Sequence, residues 1–354
     1  MIGRVFLAAS ALCLATPLAA QSEQPRPAST VVGAATPLDS RQKTEVIETM
    51  AITAEQRYVD AEAGARIAAR LRQRLSGGAY DSVSDGKTFA EVLTRDMQQV
   101  VSDKHLRAVY EPGRAERGLV RRMMPAGASG PAPYARIDSR STEQIAATNF
   151  GFEKVDRLAG NVGYLKLTRL VPLQLSRDAA ERAMTSLGGS EAVVIDLRGV
   201  PGGSPDLVVQ LVSYFTGAQP VRLMTTYNRA TDQTEELWSL TEVAGGRMTG
   251  KPLFILQDRN SASAAEMLAY FVQRQKLGLI IGETSSGAGH GGNMIPVGTD
   301  ISLFLPERRI VDGPGWEGVG VKPDIEVPAD KALDEALKLA GATISGERAL
   351  TTVK

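Results

Sequence analysis

Cysteine is almost missing from this 354-residue chain, which holds one, Cys13, and only two histidines, His105 and His290. Cys13 lies in an amino-terminal segment that reads as removable, so the mature chain is expected to have neither a disulfide nor a cysteine nucleophile. It does not read as a lipoprotein site either, because Ser10-Ala11-Leu12 puts no small residue just ahead of it. Two histidines far apart in sequence, without cysteine, do not make a zinc site, and no metal or other cofactor is expected. Charge is balanced, with 40 Lys+Arg against 40 Asp+Glu. The basic surplus of a nucleic-acid binder is therefore lacking. Beyond the amino terminus no apolar run approaches the ~20 residues of a membrane span, so no stable membrane insertion is expected. Neither the full phosphate-loop pattern Gly-x-x-x-x-Gly-Lys-Ser/Thr nor a Gly-x-Ser-x-Gly elbow occurs.

What is present begins with Met1 to Ala20: Arg4, an apolar run from Val5 to Ala15, then Thr16-Pro17-Leu18-Ala19-Ala20, with no acid before Glu23. This is the pattern of a secretory signal peptide cut after Ala20, and it predicts an exported protein, periplasmic or secreted. Residues 21–38, rich in Pro, Ser, Ala and Thr, read as a disordered lead-in. Over 39–110 three apolar stripes predict a small helical bundle ending in a short strand. They are Val46, Ile47 and Met50; Ile67, Leu71 and Leu75; and Phe89, Val92, Leu93 and Met97. Residues 111–148 read as a connector. Its basic run, Arg114, Arg117, Arg121 and Arg122, suits a solvated face or a substrate-contacting rim. From 149 to 345 strand-like runs alternate with helical ones, which predicts an α/β core with a largely parallel sheet.

Within that core, Lys251 to His290 organises the rest. An apolar strand (Leu253 to Leu256), a polar turn and the helix start at Ser263 are followed by a second strand (Leu279 to Ile281) and a small-residue loop, Gly282 to Gly292, that carries His290. This order presents a serine hydroxyl at a sheet edge beside backbone amides able to hold an oxyanion. Ser263 with Glu266 is equally an N-capping box, which needs no chemistry. A second turn, Arg198 to Gly203, follows another buried strand. There Gly202 or Gly203 could bring an amide to a substrate carbonyl, with Ala264 as the second donor; a plain strand-to-helix turn fits the same residues. Imidazole is the natural proton acceptor for a serine, and both histidines sit in polar loops beside acid or glycine. Glu317, among turn-forming glycines, could orient such a base or be an exposed loop acid.

These residues carry a resemblance. Asp196-Leu197-Arg198-Gly199 with Gly202-Gly203, Asn260 to Glu266, Gly282-Glu283-Thr284 and Gly318 to Asp324 occur in the order seen in carboxyl-terminal-processing (tail-specific) serine peptidases. The likeness runs from about Tyr58 to Pro328 and is nearest the branch resembling interphotoreceptor retinoid-binding protein and the tricorn core peptidase. It implies a ClpP/crotonase-like layered α/β core with a small amino-terminal helical bundle and no PDZ domain, the span from His105 to Tyr164 being too short for one.

By the match, Ser263 is the nucleophile, with oxyanion donors at Gly202 or Gly203 and at Ala264. The family's base lysine corresponds to Ala288, so a serine–lysine dyad is lacking. The resemblance to the tricorn core implies instead a relay of Ser263, His105 and Glu317. His290 then lines the cleft or serves as an alternative base, and Lys166 ranks third. The implied substrate is a peptide or unfolded protein, and no oligomeric state follows. The other function open on this fold is a non-catalytic binder of hydrophobic ligands or peptides.

Overall fold

The structure, a computed structural model, describes the backbone of residues 38–113, 139–298 and 300–352; side chains are described outside 139–142 and 345–352. The expected signal peptide, nearly all of the lead-in and most of the connector lie outside the described residues.

Three helices open the described chain, each started by an aspartate. Helix α1 (Ser40–Arg57) is held by a reciprocal cap, in which the Asp39 carboxylate accepts from the Gln42 amide at 2.7 Å and Gln42 accepts from the Asp39 amide. Asp60 caps α2 (Ala61–Ser76), and Asp85 caps α3 (Gly86–Gln98) in the same sense. Their apolar stripes meet in one cluster containing Ile47, Met50, Ile67, Leu71, Phe89, Leu93 and Met97. The chain then forms β1 (Arg107–Tyr110).

The bundle cluster does not close on helices alone. Strand β1 pairs antiparallel with β10 (Ile301–Ile310), whose Ile301, Leu303 and Leu305 are fully buried against the helices. On its other edge β10 pairs with β9 (Gly291–Pro296); further along, on the edge it shares with β1, it pairs with β5 (Arg222–Asn228), which carries β6 (Gln233–Trp238). This sheet is antiparallel throughout.

The second sheet is the largely parallel one that the apolar runs predict. Its order is β11 (Ile325–Glu326), β8 (Leu279–Gly282), β7 (Leu253–Gln257), β4 (Ala192–Asp196), β3 (Val162–Leu167) and β2 (Phe152–Leu158). All pairs are parallel but β2 with β3. Every residue of β4 and β7 is buried, as expected for strands covered on both faces. One face packs on α5 (Leu173–Leu187), α6 (Pro205–Ser213) and α7 (Ala264–Arg274); the other packs on α8 (Ala332–Thr352) through Ala332, Ala336 and Ala340. A further helix, α4 (Ser139–Ala147), falls where the sequence reads as connector. Strands β6 and β9 of the antiparallel sheet are the part that sequence patterning leaves out. Strand β6 is exposed on both faces, and β9 starts at Gly291-Gly292, so neither shows a half-buried alternation.

Leu303 lies between bundle and sheet. Leu303→Ala is expected to lower unfolding free energy by roughly 2–5 kcal/mol in chemical denaturation, with the helices and the sheet still melting in one transition.

Candidate active site

Two strands of the parallel sheet, β4 and β7, end side by side, and the turns that follow them carry the site. After β4, the Asp196 carboxylate accepts from the side chain of Arg198 at 2.6 and 2.9 Å, from Tyr164 Oη at 2.8 Å and from Lys166 Nζ at 3.3 Å. Burial alone would lift the Asp196 carboxyl, but these donors hold it below the usual carboxylate range. The chain continues to Gly202 and Gly203, at φ 107° and 144°. A Cβ on Gly202 would lie 2.7 Å from the Ser263 Cβ and 3.1 Å from the Ala264 amide nitrogen. Only glycine lets this turn lie flush against the serine. Among the described residues, neither the Gly202, Gly203 nor Ala264 amide has a recorded acceptor.

After β7, Asp258 gathers the turn by accepting from the amides of Gly199, Asn260 and Ser261. Ser261 Oγ in turn donates to the Leu197 carbonyl, which ties the two turns together. Ser263 follows at φ 56° and ψ −120°, a left-handed backbone that a non-glycine residue adopts at a cost of about 1–3 kcal/mol. The Glu266 carboxylate, fully buried, accepts from the Ser263 amide at 2.7 Å. It also accepts from Ser285 Oγ at 2.6 Å and from the amides of Gly287 and Ala288 at 2.5 and 2.9 Å. Glu266 thus closes the capping box that the sequence predicts for Ser263, and the same carboxylate grips the loop that leads to His290.

That loop lies on the segment after the antiparallel sheet. The Gly318 amide donates to the Gly287 carbonyl, Trp316 Nε1 to the Ala288 carbonyl, and the Val321 amide to Ser285 Oγ. A Cβ on Gly289 would meet the Glu317 amide nitrogen at 2.6 Å, so the backbones touch. Glu317 accepts from the amides of Gly289 and His290 at 2.6 and 2.7 Å.

The two histidines are placed differently. His290 Nδ1 lies 2.9 Å from Asp103 Oδ2 and 3.7 Å from Glu317 Oε2. Burial opposes a charged imidazole there, but Asp103 and Glu317 outweigh it and raise His290 above its ordinary value. Asp103 also accepts from Tyr58 Oη at 3.0 Å and from the His105 amide at 2.9 Å. Burial pushes this carboxyl up; His290 and the amide and phenol donors bring it below its usual value. Glu317 is raised, first by burial and then by the negative charge of Asp103. The ligand atoms of Asp103, His290 and Glu317 lie within 4.8 Å of one another, the one such grouping of potential metal donors among the described residues. The shared proton on His290 Nδ1 accounts for the approach of imidazole and Asp103.

His105 packs against the Phe304 ring at a centroid distance of 5.4 Å, and its Nδ1 is buried without a partner. Burial, first of all, lowers its pKa. The expected relay joined Glu317 to His105; in the structure the recorded ring contacts of Glu317 are with His290. The reason is local. The bundle ends in Asp103-Lys104-His105, and it is Asp103 that points into the loop, with Lys104 Nζ donating to the Ser286 carbonyl at 2.5 Å. Lys166 sits with Asp196 and Arg198 beside an open cavity of about 410 Å³. The sequence reading did not single out Asp103. Its signal was an acid two residues before a histidine at a helix-bundle exit.

A family model described as peptidase family S41 matches residues 161–327, and one described as the N-terminal domain of peptidase S41 in eukaryotic IRBP matches residues 38–146. The carboxy-terminal-processing protease of Bartonella bacilliformis is 28% identical over 177 residues, covering 48% of this chain and 40% of that protein. The carboxyl-terminal-processing protease of a Picosynechococcus species is 25% identical over 197 residues, covering 53% and 45%. The chain thus spans less than half the length of these relatives. Among solved structures, a lipoprotein from Streptococcus agalactiae superposes with a TM-score of 0.55 at 13% identity, covering 85% of this chain and 96% of that one. The tricorn protease superposes at 0.53 and 12%, covering 87% and 37%. The photosystem II D1 C-terminal processing protease does so at 0.50 and 16%, covering 82% and 94%. These superpositions bear on the fold: the mixed α/β architecture is that of S41 proteases.

Glu266 is the tie between the serine turn and the His290 loop. Glu266→Ala, which strands three amides and a hydroxyl in a dry site, is expected to cost roughly 2–4 kcal/mol in denaturant unfolding, with Glu266→Gln costing less.

Proposed function

The chain belongs to peptidase family S41, and from that membership we propose that it is a serine-type peptidase cleaving peptide bonds of exported polypeptides, with Ser263 as nucleophile. The observation that carries this reading is the strained Ser263 backbone, held by Glu266 to a loop whose histidine is gripped by a buried acid.

The base assigned here is His290, with His105 second. A carboxylate accepts from Nδ1–H, so Asp103 fixes the tautomer that leaves Nε2 as proton acceptor. Ser263 Oγ attacks the substrate carbonyl carbon and its proton passes to Nε2. The oxyanion is held by the Ala264 amide and an amide of the Gly202–Gly203 turn. The imidazolium, stabilised by Asp103 and Glu317, returns the proton to the leaving amine as the acyl–enzyme forms. Water then attacks the ester by the same route in reverse. His105, buried and with its pKa lowered, keeps a neutral ring against Phe304.

The substrate class, unfolded or short peptide chains, follows from the family. The exported compartment follows from the Met1–Ala20 pattern, and among the described residues no helix is long and apolar enough to cross a membrane.

A fluorophosphonate probe should label Ser263, and Ser263→Ala should abolish both labelling and cleavage of unfolded casein, by about a thousandfold or more. Absence of labelling, with casein left uncut, would return the chain to the binding-protein reading. The pH profile gives a second check. A base must be neutral to act, and the His290 pKa is raised, so the rising limb of kcat/KM should lie above the ordinary histidine value of about 6.5. Asp103→Asn should move the limb downward in pH and lower the plateau by roughly a hundredfold or more.

A further inference from the structure

Strand β9 begins at the residue after His290 and is an edge strand. Its pairing parity follows from β10. The carbonyls of Asp300 and Pro306 accept from the Glu111 and Val59 amides, on the side away from β9, whereas the Ile301 carbonyl accepts from Val297 on the hairpin side. Residues 303 and 305 of β10 therefore bond to Ile295 and Asn293 of β9. The backbone N–H and C=O of Gly292 and Met294 consequently point outward. No described strand pairs with that edge.

An unpaired edge is a liability that proteins usually blunt with charge, bulges or proline along its length. Here the run Gly291-Gly292-Asn293-Met294-Ile295, exposed except for the half-buried Gly292 and Ile295, carries no charged residue, and Pro296 comes only at its end. Met294 is among the exposed large apolar side chains, at 40%. The other exposed apolar residues do not lie on an open backbone edge leading from a proposed base.

We propose that the outer edge of β9 is the docking site for the substrate main chain: an extended peptide adds as a strand, donating to and accepting from Gly292 and Met294, with Met294 offering an apolar contact. The inference rests on the assignment of Ser263 and His290 as the cleavage site, because the edge continues directly from His290. Backbone pairing of this kind takes unfolded segments of varied sequence and refuses folded ones. Extended chain, not a sequence motif, becomes the substrate class.

The test separates docking from cleavage by using full-length Ser263→Ala protein, which holds peptide without cutting it. Amide hydrogen exchange is followed at residues 291–296 with and without unfolded β-casein. The expected result is slowing by about tenfold or more at Gly292 and Met294, with Asn293 and Ile295, already paired to β10, unchanged. A second variant, Met294→Pro in the Ser263→Ala background, removes an outward N–H without cutting the β10 ladder. It should weaken casein binding by about three- to tenfold with the melting temperature kept. No slowing at Gly292 and Met294, whether or not casein binds, overturns the proposal. So does slowing that appears without casein and rises with protein concentration, which would mean a second copy pairs there. Protection of the edge in a protein whose parent leaves casein uncut would keep the docking site and remove the peptidase assignment.

Discussion

One buried carboxylate holds the site together. Glu266 has no exposed surface, and four donors from two segments converge on it: the amide of Ser263, the hydroxyl of Ser285 and the amides of Gly287 and Ala288. A charge taken out of water is tolerable only when such donors replace its hydration. The need to satisfy Glu266 therefore fixes the loop against the serine turn, and with it the start of β9. The left-handed conformation of Ser263 persists because its amide is committed to that carboxylate.

A second layer of constraint comes from the antiparallel sheet. Strand β10 is shared by the helical bundle, through β1, and by the loop of His290, through β9. The end of the bundle is thereby carried to the loop, where Asp103 meets His290 and Lys104 meets Ser286. The acid that raises the His290 pKa thus comes from a segment 187 residues away in sequence. Two histidines with opposed surroundings result. One is pressed toward its neutral form by burial; the other is drawn toward the charged form by two carboxylates.

Much of this was legible in the sequence, for identifiable reasons. Buried parallel strands such as β4 and β7 are continuous apolar runs, and the helices of the bundle announce themselves by aspartate caps and stripes of apolar residues. The two turns that meet at Ser263 are marked by glycine and by the spacing to Glu266. The antiparallel sheet was less legible because its edges are exposed, glycine-rich or polar, and strand formation there comes from pairing rather than propensity. Which histidine the buried acids meet was not legible at all. It depends on which residue of Ser102-Asp103-Lys104-His105 turns toward the loop, and that is decided by tertiary contacts, including the Tyr58 hydroxyl on Asp103.

The claim that Asp103 and Glu317 prepare His290 rather than His105 as the proton acceptor is open to direct measurement by nitrogen-15 NMR of the two imidazoles across pH. The account predicts that His290 titrates above the ordinary histidine value as the Nδ1–H tautomer, and that His105 titrates below it. If His105 titrates higher, or His290 carries its neutral-state proton on Nε2, the assignment is contradicted.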